Sequence, residues 1–288
     1  MRNDSAFPLQ GRVVAITRPE GQSRGMVELV ESLGGVPRLA PTVEICPPND
    51  RKQVEEFIRE TARGELDLII FLSVNSVGSF FRVAYDTELT NDLSKALEDV
   101  TVVAIGSKTL DALRGHDVEV RIVPDDQSSH GVLDSLSGID LKGLRIGIPR
   151  SSKADGTLRR TLKERGATVR EVTAYRSGVP RFMTPALGLI KALGRGEVDA
   201  VTFTSASTGR NLFKIANAHD SLAELEEGLR SAVVAAIGPT TGEALKELGV
   251  RVDVVPDEHS TEALIGALVE KLNLEKGERN AERTPGPP

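Results

Sequence analysis

Residues 63–73 read RGELDLIIFLS, and residues 195–205 read RGEVDAVTFTS. Leu66 to Ser73 is a nearly continuous apolar run. A strand buried on both faces of a parallel sheet has that pattern, whereas a half-solvated strand alternates. The second stretch repeats the first 132 positions later. The same offset carries GRVVAITR (11–18) onto GLRIGIPR (143–150) and VAIGSKTLDAL (103–113) onto AAIGPTTGEAL (235–245). It also carries VEVRIVPDDQSS (118–129) onto VRVDVVPDEHST (250–261). One register held through four blocks points to an internal duplication and two similar units.

Each unit alternates strand and helix. Arg12 to Thr17 is a short strand-like run, and Gly21 to Ser32 has helical spacing at Met26, Leu29, Val30 and Leu33. Gly34-Gly35 stops that helix. Val74 to Tyr85 reads as helix, Thr101 to Ile105 as strand and Lys108 to Arg114 as helix. Val118 to Val123 reads as a further strand and Ser129 to Ser137 as a closing helix. This alternation predicts an α/β protein of two doubly wound parallel sheets with helices on both faces. The tail from Asn273 to Pro288 (NLEKGERNAERTPGPP) is charged and rich in Gly and Pro, and is expected to be disordered.

Composition narrows the function. The 288 residues carry a net charge of −6 and offer no broad basic face, so no nucleic-acid partner is expected. With no Trp, two Tyr and eight Phe, base-stacking platforms are also disfavoured. No apolar run reaches the roughly 18–20 residues of a membrane span, and Met1 to Gln10 has no signal-like core. A cytoplasmic protein with no membrane partner is expected. Cys46 is the only cysteine, and His116, His130, His219 and His259 lack the spacing of metal ligands, so no metal is expected.

Ligands of open parallel sheets sit beyond the carboxyl ends of the strands. Thr17-Arg18-Pro19 and Pro149-Arg150-Ser151 follow the first strands. Ser73-Val74-Asn75-Ser76 and Ser205-Ala206-Ser207-Thr208 follow the long buried ones, and Gly106-Ser107-Lys108-Thr109 and Gly238-Pro239-Thr240-Thr241 the third. These tips combine hydroxyls, arginines and helix N-termini, which suits a ligand bearing many carboxylates or phosphates. The plainer reading of each hydroxyl is a helix cap, and Thr240 with Glu243 fits a capping box. A surface salt bridge explains Arg18 or Arg150 singly. Anion recognition explains the pair more economically. The spacing GxxxxGK[ST] is absent around Gly106, and no GxGxxG occurs, so nucleotide binding has little support.

Six stretches together carry a family resemblance: TRP near the start, DLIIFLSVNSV from Asp67, AIGSKTLDAL from Ala104, VTAYRS from Val172, DAVTFTSAS from Asp199 and AIGPTTGEALKELG from Ala236. In order and spacing they resemble uroporphyrinogen-III synthases, from about Gly11 to Leu272. One departure is Leu72, where the family usually has Thr.

The resemblance implies two flavodoxin-like domains joined by a two-stranded antiparallel linker. The chain starts in one domain, completes the other, and returns. Mapped here, residues 1–43 with 176–272 form one domain and residues 44–175 the other. The crossings fall near Val43-Glu44-Ile45 and Ala174-Tyr175-Arg176. The resemblance also implies a carbon–oxygen lyase, which cyclises and dehydrates hydroxymethylbilane to uroporphyrinogen III with inversion of ring D. The product serves haem, sirohaem and cobalamin synthesis. No cofactor is implied. The expected partners are a tetrapyrrole substrate with several carboxylates and, transiently, hydroxymethylbilane synthase, and the expected state is a monomer. Tyr175 matches the family's cleft tyrosine. A phenol is protonated at neutral pH, so its role would be donor to the departing hydroxide. Arg18, Ser73, Asn75, Ser76, Gly106, Thr109, Arg150, Arg176, Ser205, Ser207, Gly238, Thr240 and Thr241 are the implied binding positions. Two alternatives stay open: a non-catalytic two-lobed binder of a small polyanion, and a nucleotide-sugar transferase.

Overall fold

A computed structural model describes residues 7–152 and 156–282. The strands are β1 (Val13–Ile16), β2 (Val36–Leu39), β3 (Glu44–Cys46), β4 (Leu68–Phe71), β5 (Thr101–Ala104), β6 (Arg145–Ser151), β7 (Thr168–Gly178), β8 (Ala200–Phe203) and β9 (Val233–Ala236). The helices are α1 (Arg24–Ser32), α2 (Arg51–Ala62), α3 (Val74–Asp86), α4 (Thr90–Asp99), α5 (Ser107–Arg114), α6 (Ser129–Ser135), α7 (Thr157–Glu164), α8 (Thr184–Gly194), α9 (Ala206–Ala218), α10 (Leu222–Ser231), α11 (Pro239–Glu247) and α12 (Thr261–Glu282).

The chain divides into two compact units, Met1–Glu44 with Gly178–Pro288, and Ile45–Ser177. The first holds a parallel sheet of order β2-β1-β8-β9, extended by a single bridge from Ala235 to Val254. The second unit's sheet has the order β3-β7-β6-β4-β5, with the matching bridge from Val103 to Ile122. Leaving β3 aside, both follow the 2-1-3-4-5 order of flavodoxin-like sheets, if β6 and β7 stand first in the second unit. Thus β1 pairs with β8, and β6 pairs with β4. The first strand and helix of each sequence copy complete the sheet of the other. The crossing segments lie in β3 and β7, hydrogen-bonded neighbours in the second unit's sheet.

The hydrogen bonds that make this exchange repeat at the same offset. Val13 N–H donates to Asp199 Oδ2 (2.8 Å), and Arg145 N–H donates to Asp67 Oδ2 (2.8 Å). Asp199 also binds the Arg12 guanidinium (2.5 Å) and Asp67 that of Arg145 (2.7 Å), two arginines one position out of the repeat's register. The Asp that precedes β4 or β8 therefore pins a strand contributed by the other copy. Hydrogen bonds from Arg145 hold the Asp67 carboxyl below the usual carboxylate range. Such a group stabilises the fold above its unfolded pKa, about 3.9, and that stabilisation is lost as pH falls through the lower folded value. Asp67→Asn should therefore flatten the acid limb of stability, read as the denaturant midpoint at falling pH.

Burial on both faces is visible along single strands. Ile69 and Phe71 of β4 pack into the cluster built on α2, α3 and α4, while Leu68 and Ile70 join the opposite cluster with Val132, Leu158 and Leu162. The Schellman pattern ends α1: Gly34 at φ 80° donates to Glu31 O and Gly35 to Val30 O. Two expectations change. Val118 to Val123 makes only the bridge at Ile122, because its pairing with β5 is confined to the neighbourhood of one residue. The tail does not lose order at Asn273. Leu264, Ile265, Leu268 and Leu272 anchor α12, which runs on to Glu282. Residues 283–288 lie outside the described residues.

Candidate active site

In each unit the parallel strands bring their carboxyl ends to one edge of the sheet, and the expected site residues gather there. In the second unit Ser73 follows β4, is extended and caps α3. Its Oγ accepts from Ser76 N–H (3.1 Å), and the buried Ser76 returns its hydroxyl to Ser73 O (2.7 Å). Asn75 lies in the same first turn. Gly106 follows β5 and starts α5 without a side-chain cap, and Thr109 is buried in that first turn.

Tyr175 lies on β7, 9% exposed, with its hydroxyl 3.1 Å from Ser73 Oγ. The register with β6 passes from Arg150↔Thr173 directly to Ser151↔Tyr175. Ala174 is therefore an extra residue, and a bulge of this kind re-aims the side chain beside it. Ser79 of α3 donates to Ala174 O (2.5 Å), so α3 is tied to β7 at a second point beside the Ser73 contact. Arg176 Nε donates to Pro47 O (3.1 Å), which gives this arginine a backbone-holding role.

Arg150 departs from the expected anion clamp. Its guanidinium binds Glu171 Oε1 at 2.5 Å, with the two side chains 16% and 15% exposed, and Arg159 stands 3.7 Å from the same carboxylate. Glu171 lies one strand over from Arg150, and that adjacency is a matter of sheet order.

In the first unit, Thr17 donates its hydroxyl to Thr202 O (2.8 Å), fixing the end of β1 to β8. Arg18 follows. Its Nη1 reaches Thr261 Oγ1 at 3.3 Å, while its Nε is buried and among the described residues has no hydrogen-bond partner. Burial pushes the Arg18 guanidinium below its ordinary pKa, and Glu262 pulls it back. Ser205 caps α9, accepting from Thr208 N–H (3.3 Å), and half-buried Ser207 lies in the first turn. Gly238 starts α11, with Thr240 exposed and Thr241 buried. The Thr240–Glu243 capping box does not form, because Gly238 is the cap and Thr240 the second helical residue. Pro239 was the legible sign, since proline favours the first helical position.

Four residues near the site were not among the expected site positions. A Cβ on Gly106 would lie 2.3 Å from Gln127 Oε1, and one on Gly238 would lie 2.9 Å from His259 Cδ2. These polar side chains, 132 apart, cover the two uncapped helix starts. The repeated VPD stretch was the available signal. The other two, Thr261 and Glu262, surround Arg18. Among the described residues no three His, Cys, Asp or Glu side chains gather as a metal site would.

The two arginines should now separate in experiment. Arg150→Ala leaves Glu171 half-matched in a dry setting and should destabilise the fold. The loss should fall below the about 3–5 kcal/mol of a fully buried pair because Arg159 remains. Arg18→Ala removes a guanidinium with an unfilled donor, so it should raise KM with little change in the denaturant midpoint. Unfolding curves and steady-state kinetics on both variants check this.

A sequence model of the family described as uroporphyrinogen-III synthase HemD matches residues 25–266. The provisionally named uroporphyrinogen-III synthase of Methanothermobacter thermautotrophicus is 39% identical over 88% of this chain and 96% of its own. The uroporphyrinogen-III synthase of Chlorobaculum parvum is 28% identical over 91% and 99%. In fold, the chain is similar to a mutant uroporphyrinogen III synthase of the extremely thermophilic bacterium Thermus thermophilus (TM-score 0.62, 24% identity, 92% of this chain and 99% of that one). It is likewise similar to uroporphyrinogen-III synthetase of Helicobacter pylori (TM-score 0.57, 15% identity, 91% and 99%). Among the described residues no helix is long and apolar enough to cross a membrane. With the family model covering most of the sequence, and the strand order and its edges as described, this chain belongs to the uroporphyrinogen-III synthase family, lyases of tetrapyrrole biosynthesis.

Proposed function

We propose that the chain converts hydroxymethylbilane into uroporphyrinogen III, with Tyr175 as the acid that helps hydroxide leave. The observation that carries this is the Tyr175 hydroxyl, held at a strand's carboxyl edge against Ser73 Oγ. The pyrrole nitrogen's electrons expel the hydroxymethyl oxygen, Tyr175 supplies its proton, and water departs. The resulting azafulvene is attacked by the substituted carbon of the terminal ring. The spiro intermediate fragments and recloses with that ring inverted, and the proton lost on reclosure balances the one Tyr175 gave. The net change is loss of water, with no change of oxidation level. Much of the acceleration would come from holding a reactive chain in the folded geometry that favours the strained attack.

Arg18, with a buried and unpartnered Nε, supports a role as a carboxylate ligand. The helix starts at Ser73, Gly106, Ser205 and Gly238 offer backbone N–H donors at the same edges. Asn75, Ser76, Thr109, Ser207, Thr240 and Thr241 surround those starts. Arg150 and Arg176 contribute by shaping the edge. The protein would work as a cytoplasmic monomer that receives its substrate from hydroxymethylbilane synthase. Purified protein incubated with hydroxymethylbilane should yield the inverted isomer, resolved chromatographically from the uninverted one that forms unaided. Tight binding with only the uninverted isomer formed would favour the polyanion-binding alternative.

A further inference from the structure

Ser73 and Ser205 are equivalent caps, 132 residues apart, each accepting the N–H of the residue three further on. Capping explains both serines equally. It does not explain why Ser73 also touches a phenol, whereas the residue 132 positions before Tyr175 is Val43, which has none. A serine oxygen has one proton and two lone pairs. Ser76 N–H is an obligate donor and takes one lone pair of Ser73 Oγ. Among the described residues the only other partner of that oxygen is the Tyr175 hydroxyl. If Tyr175 donated, Ser73 would accept twice and its own proton would have no protein acceptor. If Ser73 donates, the proton left without a protein acceptor is the phenol's, the one a general acid must present to its substrate.

Resting on the reading of Tyr175 as the acid, we infer that Ser73 is a positioning residue that donates its proton to the Tyr175 oxygen and so frees the phenol O–H for the substrate. The donors then run one way, from the first turn of α3 through Ser73 to Tyr175. Aligned hydrogen bonds polarise one another, and the N-terminal end of α3 carries partial positive charge. Both favour the negative charge that grows on the phenol oxygen as its proton leaves. The Ser79–Ala174 bond keeps α3 and β7 in register for this contact.

The test uses a Tyr85→Phe background. Tyr85 is 77% exposed, and its removal leaves Tyr175 as the sole tyrosine in a chain without tryptophan. Ultraviolet resonance Raman spectra of that tyrosine distinguish an accepting phenol from one that only donates. We expect an accepting phenol in the parent and its loss in Ser73→Ala. Ser73→Thr should restore it, and Ser205→Ala should leave it unchanged, although both alanine variants lose a cap. In kinetics Ser73→Ala should lower kcat about 10-fold, the scale of one hydrogen bond to a charged group, with KM nearly constant. Placed on Tyr175→Phe, it should cost nothing more. If Ser73→Ala does not fold, Ser73→Gly serves, since glycine caps helices with little loss. An unchanged Raman signature, or a kcat loss that persists in the Tyr175→Phe background, overturns the inference. A Tyr175→Phe variant with full turnover overturns the reading of Tyr175 instead, whatever the spectra show.

Discussion

Tyr175→Phe should lower kcat about 100-fold, the low end of what loss of a general acid costs. The low end is expected because the pyrrole nitrogen already drives hydroxide out. Removing one oxygen from a side chain that is 9% exposed leaves the ring's packing in place, so unfolding midpoint and product affinity should barely change. The variant should still form the inverted isomer, since inversion depends on how the substrate is folded. A loss confined to kcat marks an interaction made only in the transition state. Wild-type turnover would remove Tyr175 from the chemistry. Normal turnover with release of the uninverted isomer would give it a steering role. Rapid-quench assays with isomer separation distinguish the outcomes.

Phe80→Ala should have the largest effect on stability. Phe80 is fully buried on α3, and its ring meets Phe57, Phe71 and Phe81 edge-on at centroid distances of 5.7, 5.6 and 5.8 Å. Truncating a buried Phe costs about 3–5 kcal/mol through lost transfer energy and the cavity left behind. The upper half is expected, because three aromatic pairs are lost at once and each adds about 0.5–1.5 kcal/mol. The same helix carries Ser73 at its start and Ser79 against β7, so looser packing at Phe80 should also blur the site. Chemical denaturation followed by circular dichroism measures the first effect, and kcat of the folded fraction the second. Phe80→Leu, which keeps most of the volume, should lose far less. Equal losses for the two variants would mean that the site collapses around the cavity.

Much of this was legible because it is local. The run LIIF of β4 announces a strand buried twice, and its residues do divide between two clusters. Helix starts after β4, β5, β8 and β9 follow from Ser and Gly beside apolar runs, and the sheet edge that carries them follows from parallel topology. The expected site residues therefore lie beside the carboxyl ends of these strands. What each does there was less legible. Thr240 looked like a cap because its hydroxyl and Glu243 have the spacing. The helix begins two residues earlier, where a glycine in extended backbone leaves room for His259.

The sequence by itself determined the α/β class, the two-copy plan and the positions of the strand ends, because periodicity, a constant offset and turn residues are properties of neighbours along the chain. The repeat alone left open which strands share a sheet, an exchange that only the resemblance implied, and the tertiary structure decided what each polar side chain meets. β1 sits beside β8, and an Asp of one copy pins a strand of the other. Glu171 occupies Arg150, while Arg18 keeps an unpartnered Nε. The extra residue at Ala174 turns the β7 backbone where Tyr175 meets Ser73, 102 positions away. Such partners are chosen by packing across strands far apart in sequence. A pattern read along one strand carries the spacing of its own side chains and no record of which neighbour will stand opposite them.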